Sequence, residues 1–136
     1  MLRRIAVLGL LLGGTGCLWR GYATIMGVHL DVLTQMATKL CSVIEAGAGP
    51  AAEAMAEYTY PAQRGREFLR QFSGYDARRS YQEFGRFLDG YEAMVRTADA
   101  TRAQGRDWRT VLPPLKVQRD GLLQLASAIR ADLKTE

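Results

Sequence analysis

Lysine, histidine and cysteine are scarce in this chain. Of its eighteen basic residues only Lys39, Lys116 and Lys134 are lysines, His29 is the single histidine, and Cys17 and Cys41 are the only cysteines. Each scarcity excludes chemistry. A Ser/His/Asp triad would depend on His29, which falls on an apolar helical face between Met26 and Leu33, with Asp31 on a different face. Tetrahedral zinc needs more thiolate and imidazole than these residues supply. Di-metal helical bundles use a Glu-x-x-His pair from each of two helices, and that motif is absent, as is the C-x-x-C-H pattern of covalent haem. No catalytic residue, metal or cofactor is therefore expected, and the chain is read as not an enzyme.

Strand signals are missing too, and so is a linker. The four prolines are Pro50, Pro61, Pro113 and Pro114, and no Ser/Gly-rich stretch exceeds a few residues. The net charge of +4 is modest and includes Arg3 and Arg4 at the extreme N-terminus. With no basic stripe carrying a reading motif, nucleic acid is not an expected partner. Apolar residues make up 48% of 136, enough for the core of one domain.

What is present begins with the leader. Met1-Leu2-Arg3-Arg4 is a positive start, Ile5 to Leu12 an apolar run, and Gly13-Gly14-Thr15-Gly16 a set of small residues before Cys17. This is the layout of a secretory signal. The apolar run is too short to span a bilayer, which needs about 20 apolar residues. The stretch resembles a bacterial lipoprotein signal peptide. Thr15, Gly16 and Cys17 fit that pattern, whereas Gly14 stands where the family prefers leucine. The resemblance implies that residues 1–16 are removed and that Cys17 carries a lipid (palmitate among the acyl groups). Residues 17–21 then form a tether and residues 22–136 a helical domain. It also implies attachment to a bacterial membrane, facing the periplasm. Leu18, rather than an aspartate, resembles cases sent to the outer membrane. With Cys17 acylated, Cys41 has no partner for an intrachain disulfide and reads as a small buried hydrophobe. The segment "RRIAVLGLLLGGTG" mimics a nucleotide-binding first strand, but Gly9 is followed by three leucines, so the phosphate turn is missing.

Four helical stripes follow. The first is Tyr22, Met26, His29, Leu33, Met36, Leu40, Val43; the second is Ala51, Met55, Tyr58, Ala62, Gly65, Leu69, Phe72. The second runs in phase across Pro61, which predicts one kinked helix there. Gly65 on that stripe predicts close approach of a neighbouring backbone. The third is Ala77, Tyr81, Phe84, Leu88, Tyr91, Val95, Ala98, widened by Phe87 and Met94, with Asp76 as its expected N-cap and Gly105 as its stop. In the fourth, Trp108, Val111 and Leu112 precede Pro113-Pro114, where a helix should break or start, and Leu115, Leu122, Leu125, Ile129 and Leu133 complete the stripe. The 4-3 spacing suggests left-handed, coiled-coil-like packing. The fold class is all-α, an antiparallel up-down four-helix bundle after the leader; a three-helix bundle with a loose elbow at Pro61 is the alternative.

Two surface features suggest partners. Residues 64–86 carry Arg64, Arg66, Arg70, Arg78, Arg79 and Arg86 against Glu67, Asp76 and Glu83. Arg64, Arg66, Arg70, Arg78 and Arg79 are candidates to meet an anionic surface or a protein partner; solvated helix faces are the plainer reading of the same charges. Aromatics crowd the second and third segments, from Tyr58 to Tyr91, as a core or as a groove. Glu53 and Glu57 read as a solvated pair. Protein binding, as an accessory, assembly or inhibitory subunit of the bacterial envelope, is the expected function. Carriage of an apolar ligand or haem, the latter through His29 and a methionine, is the alternative.

Overall fold

The computed structural model describes the fold of residues 2–136 and the side-chain surroundings of residues 19–136. The leader and Cys17 lie outside the residues whose side chains are described. The described residues form four helices: α1, Leu2–Glu45; α2, Met55–Gln71; α3, Arg79–Ala103; and α4, Trp108–Thr135. Short 3-10 turns at Ala52–Ala54 and Ser73–Tyr75 precede α2 and α3. No strand occurs among the described residues. The fold is an all-α helical bundle: α3 packs chiefly on α4 and α2, and α1 on α4 and α2. Among the described residues, no helix is long and apolar enough to cross a membrane.

The stripes supply the core. Tyr22, Met26, Leu33, Leu40, Phe84, Leu88, Leu115 and Ile129 are all fully buried. Burying each such side chain contributes about 1.5–3 kcal/mol. Along α1 the buried set departs from the expected stripe. Leu30, Ala37, Cys41 and Ile44 are buried, while His29, Met36 and Val43 sit at the margin. Met26, Leu33 and Leu40 stay buried, and Leu30, Ala37 and Ile44 take the places of His29, Met36 and Val43, so the seven-residue repeat is kept with half of it displaced by one position.

The helix ends explain the connections. Gly47 and Gly105 adopt positive φ, 96° and 61°, a conformation glycine reaches without steric cost. At Gly105 the amide of Arg106 bonds to the Thr101 carbonyl and that of Gly105 to the Arg102 carbonyl. This doubled closure stops α3. Asp107 then caps α4, its carboxylate accepting from the Arg109 amide at 3.0 Å.

Three local expectations change. The N-cap of α3 is Arg78, not Asp76, because the turn at Ser73–Tyr75 delays the helix. α4 runs unbroken through Pro113 and Pro114; the carbonyls that lose a partner belong to Arg109 and Thr110, both exposed residues in the first turn. Gly65 admits a side chain rather than a backbone: a Cβ there would lie 2.8 Å from Leu88 Cδ2. The expectation of one helix across Pro61 holds, since α2 is continuous.

Candidate functional site

One end of the bundle concentrates aromatic rings. Tyr22 of α1 stacks on Tyr75 with centroids 4.6 Å apart and on Phe68 at 5.6 Å. Trp19, one helical turn earlier, lies 5.3 Å from Tyr22 and 5.8 Å from Tyr75. Phe72 closes the group against Tyr22 and Phe68. The Arg78 guanidinium sits over the Trp19 ring, 4.9 Å from its centroid, within reach of a cation–π attraction. The Trp19–Tyr22 turn of α1 and the α2–α3 connection are thus joined.

A polar layer lies beneath. Ser80 Oγ donates to the Glu136 carboxylate, so the Tyr22 hydroxyl, 2.8 Å away, donates to Ser80. Glu136 also accepts from the Ser80 amide at 3.0 Å, which satisfies a free N–H in the first turn of α3. Burial pushes the Tyr22 phenol up to about 12, against the lowering effect of the Ser80 bond. Glu83 is buried beside Asp132, and Arg79 Nε bonds its Oε1 at 2.9 Å.

The structure divides the five candidate arginines. Arg64 pairs with Glu67 on its own helix, at 2.9 Å. Arg66 is half-buried and held by Asp89 and Glu92 of α3, which ties α2 to α3. Arg79 turns to Glu83 and Asp132. Arg70 and Arg78 are exposed and form no ion pair among the described residues. Arg78 alone of the five touches the aromatic end through its guanidinium. Trp19 was not singled out by its sequence position; an aromatic two residues after a candidate anchor is the signal that points to it.

The crowded aromatics are mostly core. Tyr58, Phe68, Phe84, Phe87 and Tyr91 are buried, whereas Tyr60 is exposed. The Tyr91 hydroxyl donates to the Tyr58 carbonyl at 2.7 Å, as a buried phenol requires. Yet α2 and α3 also leave a cavity of about 290 Å³. Met55, Tyr58, Ala62, Tyr91 and Val95 form its apolar part, and Arg66, Glu92, Arg96 and Asp99 its polar margin. This can accept a small molecule with an apolar body.

The remaining candidates have plain surroundings. His29 is half-buried, 5.3 Å from the Phe68 ring, and its pKa is lowered by burial and then by Arg64. It does not line the cavity. Cys41 is a free, fully buried thiol whose pKa burial raises. Glu53 and Glu57 are exposed, and Glu57 pairs with Lys39 of α1. Compared with known proteins, the chain matches no family model, no curated protein and no solved structure.

Proposed function

We propose that this chain is a lipid-anchored protein of a bacterial envelope, held by an acyl group on Cys17, that acts by binding another protein as an accessory, assembly or inhibitory subunit and not by catalysis. The observation that carries the reading is the order positive start, apolar run, small residues, cysteine within the first seventeen residues. Attachment to the outer membrane, on its periplasmic side, is the favoured address. The body then projects from the anchor as an antiparallel up-down bundle. Contacts at both ends support that topology. Trp19 meets Tyr75, and Ser80 meets Glu136 at one end; Glu45 pairs with Lys116, and Gly49 lies against Trp108 at the other.

Crosslinking in native membranes tests the binding role. Photoreactive residues placed at exposed positions of α1 and α2 should yield one discrete product, retained at high detergent dilution. Products of equal yield from every position would mean diffusional collision and would reject the role.

A second reading has one observation in its favour. The cavity between α2 and α3 suits an apolar ligand, which makes a carrier the alternative. For haem the fit is poor, because His29 stands outside that cavity while Met55 lines it. Native mass spectrometry of the purified chain tests carriage of a lipid or other apolar molecule.

A further inference from the structure

We propose that the aromatic end of the bundle, built from Trp19, Tyr75 and Arg78 with Arg20 and Arg70 around it, seats on the anionic headgroups of a lipid bilayer. The proposal rests on the reading that the N-terminal end is held at a membrane, and it names the surface that meets the lipid.

Three observations converge on this end. The first is position: Trp19 follows Cys17 by two residues, and Tyr75 and Arg78 are brought against it. Any anchor at Cys17 delivers the α2–α3 turn to the same surface. The second is residue type. Tryptophan and tyrosine place an apolar ring and a polar edge at the level of headgroups. Trp19 and Tyr75 are each only partly covered by the protein.

The third is charge. Arg20, Arg70 and Arg78 are exposed and make no ion pair among the described residues. Of the acidic groups nearby, Glu136 is engaged by Ser80, Glu67 by Arg64, and Glu83 by Arg79. Asp76, exposed in the turn, and Glu136, whose only partner is the neutral Ser80, are the two opposing carboxylates without an ion pair there, against three such arginines. The surplus is positive, as anionic headgroups require. Arg66, held by two carboxylates on the α2–α3 flank, takes no part. An anchor plus such a patch binds more firmly than either alone.

The test uses the full chain with Cys17→Ser and Gly74→Cys. Gly74 is exposed in the turn with nothing within 4 Å of a Cβ, and Cys41 is fully buried, so a nitroxide goes to the introduced thiol. Its collisions with a water-soluble paramagnetic reagent report contact with headgroups. Vesicles of phosphatidylcholine with phosphatidylglycerol should suppress the collisions at low salt, and phosphatidylcholine alone should not. High salt should restore them. Arg70→Gln and Arg78→Gln should each lower the seated population about fivefold. The same label on exposed Ala103→Cys, at the C-terminal end of α3, should stay open to water throughout.

Equal suppression by both vesicle types, or suppression that survives high salt and both arginine changes, overturns the proposal. Polyglutamate protecting the label as well as anionic vesicles do also overturns it and assigns the end to an acidic protein. Both arginines are exposed, and a circular dichroism spectrum verifies that each variant stays helical. Lipid attachment at Cys17 is read separately: the serine variant already lacks it, so either idea can fail while the other stands.

Discussion

Glu83 of α3 and Asp132 of α4 face each other beside a single guanidinium. Arg79 Nε lies 2.9 Å from Glu83 Oε1 and 3.6 Å from Asp132 Oδ2. Glu83 Oε2 and Asp132 Oδ2 are buried and find no other hydrogen-bond partner among the described residues. A single proton shared between the two carboxyl groups would satisfy both oxygens. Burial first, then the bond with Asp132, raises the Glu83 pKa, against the lowering effect of Arg79.

That relationship has a pH consequence. Between the ordinary carboxylate value and the raised one, the folded chain keeps a Glu83 proton that the unfolded chain has already released. The resulting stabilisation is complete below the ordinary carboxylate range and is lost as pH rises through the raised value. Urea midpoints of the wild type, relative to Glu83→Gln, should therefore fall across that window. His29 acts with the opposite sign: its lowered pKa makes stability fall as pH drops from the ordinary histidine value through the lowered one. His29→Gln should remove that second slope. Parallel pH curves for wild type and Glu83→Gln would contradict the shared proton.

A charge at Leu88 should be poorly tolerated. It is fully buried and fills the space beside Gly65. Leu88→Asp should cost about 4 kcal/mol or more, a large fraction of the stability of such a domain. Leu88→Ala should cost about 2–5 kcal/mol. Arg86→Ala, two residues away and exposed, should stay within about 0.5 kcal/mol. Thermal unfolding followed by circular dichroism ranks the three.

Two helical glycines should respond in opposite directions to alanine. At Gly21 nothing lies within 4 Å of a new Cβ, so Gly21→Ala should stabilise by up to about 1 kcal/mol through helix propensity. At Gly65 the new Cβ meets Leu88 Cδ2 at 2.8 Å and Cδ1 at 3.3 Å. Leu88 is enclosed and has little room to yield, so Gly65→Ala should destabilise by about 1–3 kcal/mol. Denaturant titration with unchanged slopes checks both values.

Cys41 should be chemically silent in the folded chain. Its thiol is fully buried, and burial raises its pKa. A thiol reagent should modify it only as fast as the chain opens, and at full rate in denaturant. Rapid modification under native conditions would contradict its burial.

The helical class and most core positions were legible because apolar side chains recur at the helical period. Five positions of the second stripe, Met55 to Leu69, are buried as the pattern implies. The first stripe was less legible: Leu30, Ala37 and Ile44 are buried one position beyond His29, Met36 and Val43, and Ala37 and Cys41 are small and carry little apolar signal. The unbroken helix through Pro113-Pro114 was not legible, because local preference argues against it and packing by Leu112 and Leu115 outweighs that preference. Charge pairing was hidden as well. Arg66 and Arg78 look alike in sequence, yet one is neutralised across α2 and α3 and the other stacks on Trp19. Such partners lie tens of residues apart and emerge only when the helices pack.

Cys17 should carry a lipid in the cell. Cells expressing the full chain should be fed a fatty-acid analogue bearing a click handle, with Cys17→Ala in parallel and immunoblotting for equal amounts of protein. The wild type should be labelled, shortened to begin at Cys17, and found with membranes; Cys17→Ala should be unlabelled and keep its leader. Equal labelling of both chains, or none of the wild type, would contradict the account.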